Sequence, residues 1–265
     1  MSGAVQTLTE SRLLAGRILR QIPRVPERLA DNTVMPVIFV LTFVYVFGSA
    51  IHLPNGIDYH DYLVSGMFAQ AVGATLIGLA VGVSTDHKTG LIDRLRVLPI
   101  SRTSVLVARN LAQLAEGLVG TTILVILGLL VGWAPHGTVL ETIAAFALLN
   151  LWAFAGAWVG TWIGLLVREP EAANQFGFLI FFPLMFLSGI FVPVAGLPTP
   201  LRQIAEWNPL SAAAAASRRL FHTPSPPGGT GWPQTHPVLA TLLLSLAMIA
   251  IFAPLAVRRY RRSDG

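Results

Sequence analysis

Cysteine is absent from all 265 residues, which removes disulfides, zinc–thiolate sites, iron–sulfur clusters and thiol nucleophiles together. Charge is scarce. Asp, Glu, Lys and Arg make up 12% of the chain, about half of what a soluble domain carries. Lysine occurs once, at Lys88, and no G-x-x-x-x-G-K-[ST] loop surrounds it. The chain should therefore neither bind nor hydrolyse ATP itself, and no cofactor of its own is expected. There is no H-E-x-x-H pair, and the six histidines (His52, His60, His87, His136, His222 and His236) are scattered in connections, where they read as solvated loop residues rather than metal ligands. Spacing supports no Ser/His/acid cluster, so no catalytic residue is expected.

What the chain has instead is apolar length. It is 54% hydrophobic with a mean hydropathy of +0.65, which describes an integral membrane protein rather than a soluble surface. Six segments, 34–51, 62–83, 117–134, 143–167, 176–197 and 238–257, lack any charged side chain. Each approaches or exceeds the roughly 20 residues that cross a bilayer core, and helices are the economical way to satisfy their backbones there. The third segment is expected to start earlier, near Val105. Gly156, Gly160 and Gly164 recur every four positions, a stripe that permits close helix–helix packing. The expected fold is an all-α polytopic membrane protein with six transmembrane helices over 34–257.

The distribution of basic residues sets the orientation. Of the eighteen, fourteen fall in the N-terminal arm, the second and fourth connections and the tail, whereas the first and third connections contain none. The positive-inside rule then places both termini and the second connection in the cytosol. The excess of arginine is accounted for by this orientation, so nucleic acid is not an expected partner. Residues 1–33 contain no apolar run suited to a signal peptide. Thr7 and Glu10 have capping-box spacing, and Leu14, Ile18 and Ile22 separate from Arg17 and Arg20 at helical spacing. This arm reads as an interfacial amphipathic helix whose arginines meet anionic headgroups, with a disordered basic tail as the other reading. Residues 258–265 form a basic cytosolic tail.

Two stretches interrupt the apolar pattern. The first, 84–102 (STDHKTGLIDRLRVLPISR), is strongly polar and reads as a short amphipathic helix stopped by Pro99, which lacks a backbone donor. Leu91, Leu95 and Leu98 are spaced four and three apart and form one apolar stripe, with Arg94 and Arg96 beside it. Either this face meets a soluble partner or the block is a solvated loop that sets topology. The second is the fifth connection. Gly189, Pro193, Gly196 and Pro198 break the fifth apolar run, which suggests that it turns back before fully crossing, and such backbone survives only when protein buries it. Asn208 caps a helix that has Pro209 at its first position and runs to Phe221 on the outer face. TPSPPGGTGWP, 223–233, is a turn-rich linker.

The run RLRVLPISR, 94–102, resembles the cytosolic motif of ABC-2 type permeases, particularly the daunorubicin-resistance DrrB-like group. LMFLSGIFVPVAGLPTPLRQIAEWNPLS, 184–211, is similar to that group's outer signature. With six spans, a long second connection and a helical fifth, the likeness extends over nearly the whole chain. It implies a permease subunit of an ATP-driven exporter in the bacterial inner membrane, working as a homodimer or heterodimer. ATP and Mg would be bound by a separate ABC ATP-binding subunit. A coupling segment, 84–104, would dock into that subunit through Leu91, Arg94, Leu95, Arg96, Leu98 and Pro99. Short re-entrant helices within 189–237, shaped by Gly189, Pro193, Pro198, Asn208 and Pro209, would close the exit.

Uncharged segments bearing Phe182, Met185 and Phe186 favour an amphiphilic drug-like or lipid-like substrate over an ion, because no ring of charge replaces hydration. A second reading is a proton-coupled carrier using Glu116, since intramembrane carboxylates mark proton pathways. Glu116 also fits two structural roles, snorkelling to the interface or pairing with Arg109 two turns earlier.

Overall fold

Asp58 begins the first long helix. Its backbone is extended and its carboxylate accepts from the His60 amide at 2.8 Å, satisfying one of the amides that a helix start leaves open. The computed structural model describes residues 34, 37–48, 53–91, 94, 102–226 and 229–262, and every regular element among them is helical. In chain order these are α1 (Val37–Val46), α2 (Tyr59–Gly73), α3 (Thr75–Lys88), α4 (Arg102–Val131), α5 (Val139–Leu166), α6 (Pro170–Phe186), α7 (Thr199–Trp207), α8 (Pro209–Leu220), α9 (Trp232–Thr235) and α10 (Pro237–Arg262).

Where six spans were expected, four helices among the described residues are long and apolar enough to cross a membrane: Tyr59–Lys88, Thr103–Val131, Val139–Leu166 and Pro237–Arg261. The first of these is α2 and α3 joined at Ala74, which keeps right-handed helical angles. The other two expected spans are shorter helices. α1 passes into a π-helix over Phe43–Phe47, and α6 has 17 residues, about 25 Å at the usual rise. The interfacial arm, 1–33, and the tail residues 263–265 lie outside the described residues.

One expectation needs correction at a helix boundary. The polar block does not start as a solvated helix at Ser84. α3 runs on to Lys88, and Ser84 is buried with its hydroxyl donating to the Val167 carbonyl at 2.8 Å, because the neighbouring connection supplies an acceptor there. The fifth connection holds short helices besides the one capped by Asn208. Pro198 precedes α7, and α9 starts at the last two residues of the turn-rich linker and runs past it.

α5 is the hub of the bundle, packing against α3, α10, α4, α2 and α8. The glycine stripe explains its closest approach. A Cβ on Gly160 would overlap the Leu76 carbonyl oxygen, and one on Gly164 would sit 2.5 Å from the Ala80 carbonyl oxygen, so the backbone of α3 occupies the space a side chain would need. In a bilayer, where apolar burial gives little preference for helix over lipid, this kind of contact holds helices together. Gly160→Val is therefore expected to lower the stability of the detergent-solubilised protein by about 3 kcal/mol, read as a lower thermal midpoint. An unchanged midpoint would show that α3 and α5 do not cross this closely.

Candidate functional site

The two ends of the bundle carry its polar chemistry. At the Lys88 end, three chain segments meet. Asp86 on α3 forms an ion pair with Arg109 on α4, each side chain about a fifth to a quarter exposed. Gly82, one turn before Asp86, leaves room for the guanidinium, which a Cβ there would strike. Lys88 reaches Glu169, the residue before α6, at 2.6 Å, but both side chains are more than half exposed, so this pair adds little. Deeper in, Asn110 donates to the Leu106 carbonyl at 2.8 Å and to Thr161 Oγ1 on α5 at 3.0 Å. The expected coupling segment emerges from this platform. Leu91 and Arg94 are exposed, while Leu95, Arg96, Leu98 and Pro99 lie outside the described residues.

The opposite end, around Tyr59, is built on a buried arginine. Arg218 lies on α8, 5% exposed. Its Nε donates to the Tyr62 carbonyl at 2.9 Å, its Nη1 to the Gly189 carbonyl at 2.8 Å and its Nη2 to the Ile190 carbonyl at 3.1 Å. The guanidinium carbon also stands 3.6 Å from the centroid of the Tyr62 ring, a cation–π geometry. The Tyr62 hydroxyl donates to the Gly189 carbonyl at 2.5 Å and the Tyr59 hydroxyl to the Phe191 carbonyl at 3.3 Å. The turn that ends α6 therefore has its carbonyls taken up by side chains from α2 and α8. Burial pushes the Arg218 pKa down, and the neighbouring Tyr62 and Tyr59 phenols oppose that shift.

Other contacts fix α8 in place. Ser217 donates to the Ser65 carbonyl at 2.6 Å, and Ser65 is bonded in turn to Thr223 at 2.7 Å and to the Trp133 indole at 2.9 Å. Trp133, Phe68, Phe146 and Phe221 form one aromatic cluster, with neighbouring centroids 5.0–5.6 Å apart along the ring of contacts. Such edge-on and tilted pairs add to their burial energy. His222 meets Glu141 at 2.9 Å, tying the end of α8 to the start of α5.

The residues singled out from sequence fall into separate places. Asn208 caps α8 as expected, its side chain accepting from the Leu210 amide at 2.9 Å with Pro209 at the first turn. Its amide nitrogen also donates to the Leu184 carbonyl at 2.7 Å, so one residue starts α8 and holds α6. Gly189 is buried in the turn, and a Cβ there would sit 2.8 Å from Val194; Pro193 and Pro198 flank the short turn Val194–Gly196. Of the four residues expected along a substrate path, Glu116, Phe182, Met185 and Phe186, the three on α6 do not share a face. Phe182 and Phe186 are exposed, their rings tilted at 41° with centroids 4.5 Å apart, whereas Met185 is buried with its sulfur accepting from Gln70 at 3.0 Å. Glu116 is half-buried midway along α4, and the ion pair of Arg109 is with Asp86.

Arg218 is not singled out by the sequence, where it is one of three arginines in the fifth connection. A usable signal existed, since Leu210, Ser211, Ala214, Ser217 and Arg218 recur at helical spacing on the buried face of α8. The Asp86–Arg109 pair had no such signal, because its partners sit 23 positions apart.

The chain resembles known membrane proteins over most of its length. The family described as "ABC-2 type transporter" matches residues 9–221. Among individual relatives, the daunorubicin resistance ABC transporter permease protein DrrB1 of Streptomyces coeruleorubidus is 32% identical, across 94% of this chain and 84% of that protein. The probable doxorubicin resistance ABC transporter permease protein DrrC of Mycobacterium tuberculosis is 24% identical, across 96% of this chain and 91% of that protein. The putative transport permease ycf38 of Pyropia yezoensis is 26% identical, across 81% of this chain and 74% of that protein.

Proposed function

Because the chain belongs to the ABC-2 type transporter family, we propose that it is the transmembrane permease subunit of an ATP-driven exporter, powered by a separate ATP-binding subunit. The observation that carries this reading is the family match over 9–221, with a charged segment leaving the Lys88 end of the bundle. In this reading the Lys88 end and both termini are cytosolic, and the Tyr59 end faces outward in the cell membrane of a bacterium. Leu91, Leu95 and Leu98 form the face that enters a groove on the ATP-binding subunit, and Arg94 and Arg96 meet its rim. The segment 189–237, held by Arg218, forms the outer closure. Two copies, or this chain and a related permease, enclose the path, and the cargo is an amphiphilic drug-like or lipid-like molecule. Relatives named for daunorubicin and doxorubicin resistance support the drug-like side of that range.

The test is transport by the purified chain in proteoliposomes with and without the ATP-binding subunit. Export that requires both the subunit and ATP is expected, and a proton gradient alone should drive none. The carrier reading is tested in the same vesicles by Glu116→Gln. The variant is expected to retain export within about twofold, because a half-buried carboxylate that relays no protons is replaceable by its amide. Loss of transport in Glu116→Gln together with gradient-driven uptake would turn the assignment to a proton-coupled carrier.

A further inference from the structure

A cavity of about 360 Å³ opens beside the Arg218 turn, walled by Tyr62, Gly189, Ser211, Arg218, Arg219 and Gln234 among others. That volume falls within the roughly 300–1,000 Å³ of small-molecule sites. Its chemistry is one-sided. Two arginines line it and no Asp or Glu does. Arg218 spends three N–H bonds on carbonyls, and a guanidinium has five to offer. Its partners are neutral, so the positive charge is buried without a carboxylate. Two further donors on residues of the wall have no partner among the described residues: Ser211 Oγ, on a residue 2% exposed, and Gln234 Nε2. Buried polar atoms of this kind are normally satisfied, and a buried charge is normally compensated. Water would satisfy the hydroxyl and the amide but would leave the charge uncompensated. An oxyanion supplies acceptors and negative charge together, and guanidinium geometry suits it.

We propose that this cavity is a binding site for a phosphate-type oxyanion, carried on the head group of a membrane amphiphile or free in solution. Arg218 and Arg219 supply the positive charge, and Ser211 and Gln234 donate to the remaining oxygens. The site does not depend on the reading of the chain as an ATP-driven exporter, and the binding test uses the full chain alone.

The experiment is calorimetric titration of the detergent-purified chain with three probes: dihexanoyl-phosphatidylglycerol, dihexanoylglycerol and inorganic phosphate. Arg218 is left in place because it holds the turn. Ala215→Leu fills the cavity from its wall, and Gln234→Leu removes a donor; thermal midpoints show whether each variant keeps its fold. The phosphatidylglycerol is expected to bind and the uncharged glyceride to give no heat. Gln234→Leu should weaken binding about tenfold, the loss expected for a hydrogen bond to a charged group, and Ala215→Leu should weaken it at least as much by filling the space the anion needs. Phosphate that competes at equal affinity would assign the site to the free ion, and phosphate that fails to compete would assign it to the head group. The proposal is overturned if neither anion binds, if the glyceride binds as tightly as the anionic lipid, or if a folded Ala215→Leu keeps full affinity.

Discussion

Arg218→Met is expected to unfold the Tyr59 end and to abolish transport, even though the residue makes no ion pair with a carboxylate among the described residues. The guanidinium bonds three carbonyls drawn from α2 and from the turn after α6. Hydrogen bonds to a charged group contribute about 1.5–3 kcal/mol each, and an acceptor left buried without its donor costs a comparable amount. The Tyr62 hydroxyl still reaches Gly189, so part of the turn keeps a partner, and the expected loss is on the order of 4 kcal/mol, at the diagnostic end for a single substitution. Arg218→Lys should recover little of it. An ammonium on a flexible stem cannot reproduce three bonds in a planar fork, and it loses the stacking over Tyr62. Arg219→Ala is the matched control: that side chain is exposed, with one bond to the Thr235 carbonyl at 3.2 Å, and the expected change in thermal midpoint is small. The measurement is thermal unfolding in detergent alongside export in vesicles. If Arg218→Met unfolded at the wild-type midpoint, the turn would be held by its own backbone and by the two tyrosines.

Leu95→Asp is expected to break the complex with the ATP-binding subunit while leaving the membrane bundle intact. The proposal places Leu95 in the middle of the apolar stripe that Leu91 begins and Leu98 ends, so the substitution would carry an unpaired carboxylate into a desolvated groove. Central anchors of this kind account for about 2–4 kcal/mol of an interface, and a loss near 3 kcal/mol lowers affinity by about a hundredfold. Arg96→Ala, at the rim, should weaken association only a few-fold, and less at high salt, because exposed charges are screened. Co-purification of each variant with the subunit, followed by ATPase assays in lipid, reads the result. Normal assembly and normal substrate-coupled turnover in Leu95→Asp would reduce 84–104 to a connection that sets topology.

Local chemistry made part of this protein legible from its sequence. Apolar length and scarce charge announce membrane helices, because a backbone in lipid must satisfy itself within one segment. The start of α8 was readable from Asn208 and Pro209, since a cap needs only residues next to one another. The glycine stripe of α5 was readable because a small residue every four positions marks one face of any helix, whatever lies across from it. The same reasoning went astray wherever a partner came from elsewhere in the chain. Ser84 looked like the start of a solvated block, yet the Val167 carbonyl buries it. Phe182, Met185 and Phe186 looked like one set, yet Gln70 draws Met185 inward while the two phenylalanines stay exposed. Arg218 had no visible role in the sequence, yet α2 and the turn after α6 bring three carbonyls within hydrogen-bond reach of it. Spacing along a helix fixes which residues share a face, and the tertiary structure alone decides which backbone carbonyls that face meets, because those carbonyls lie as many as 156 positions away.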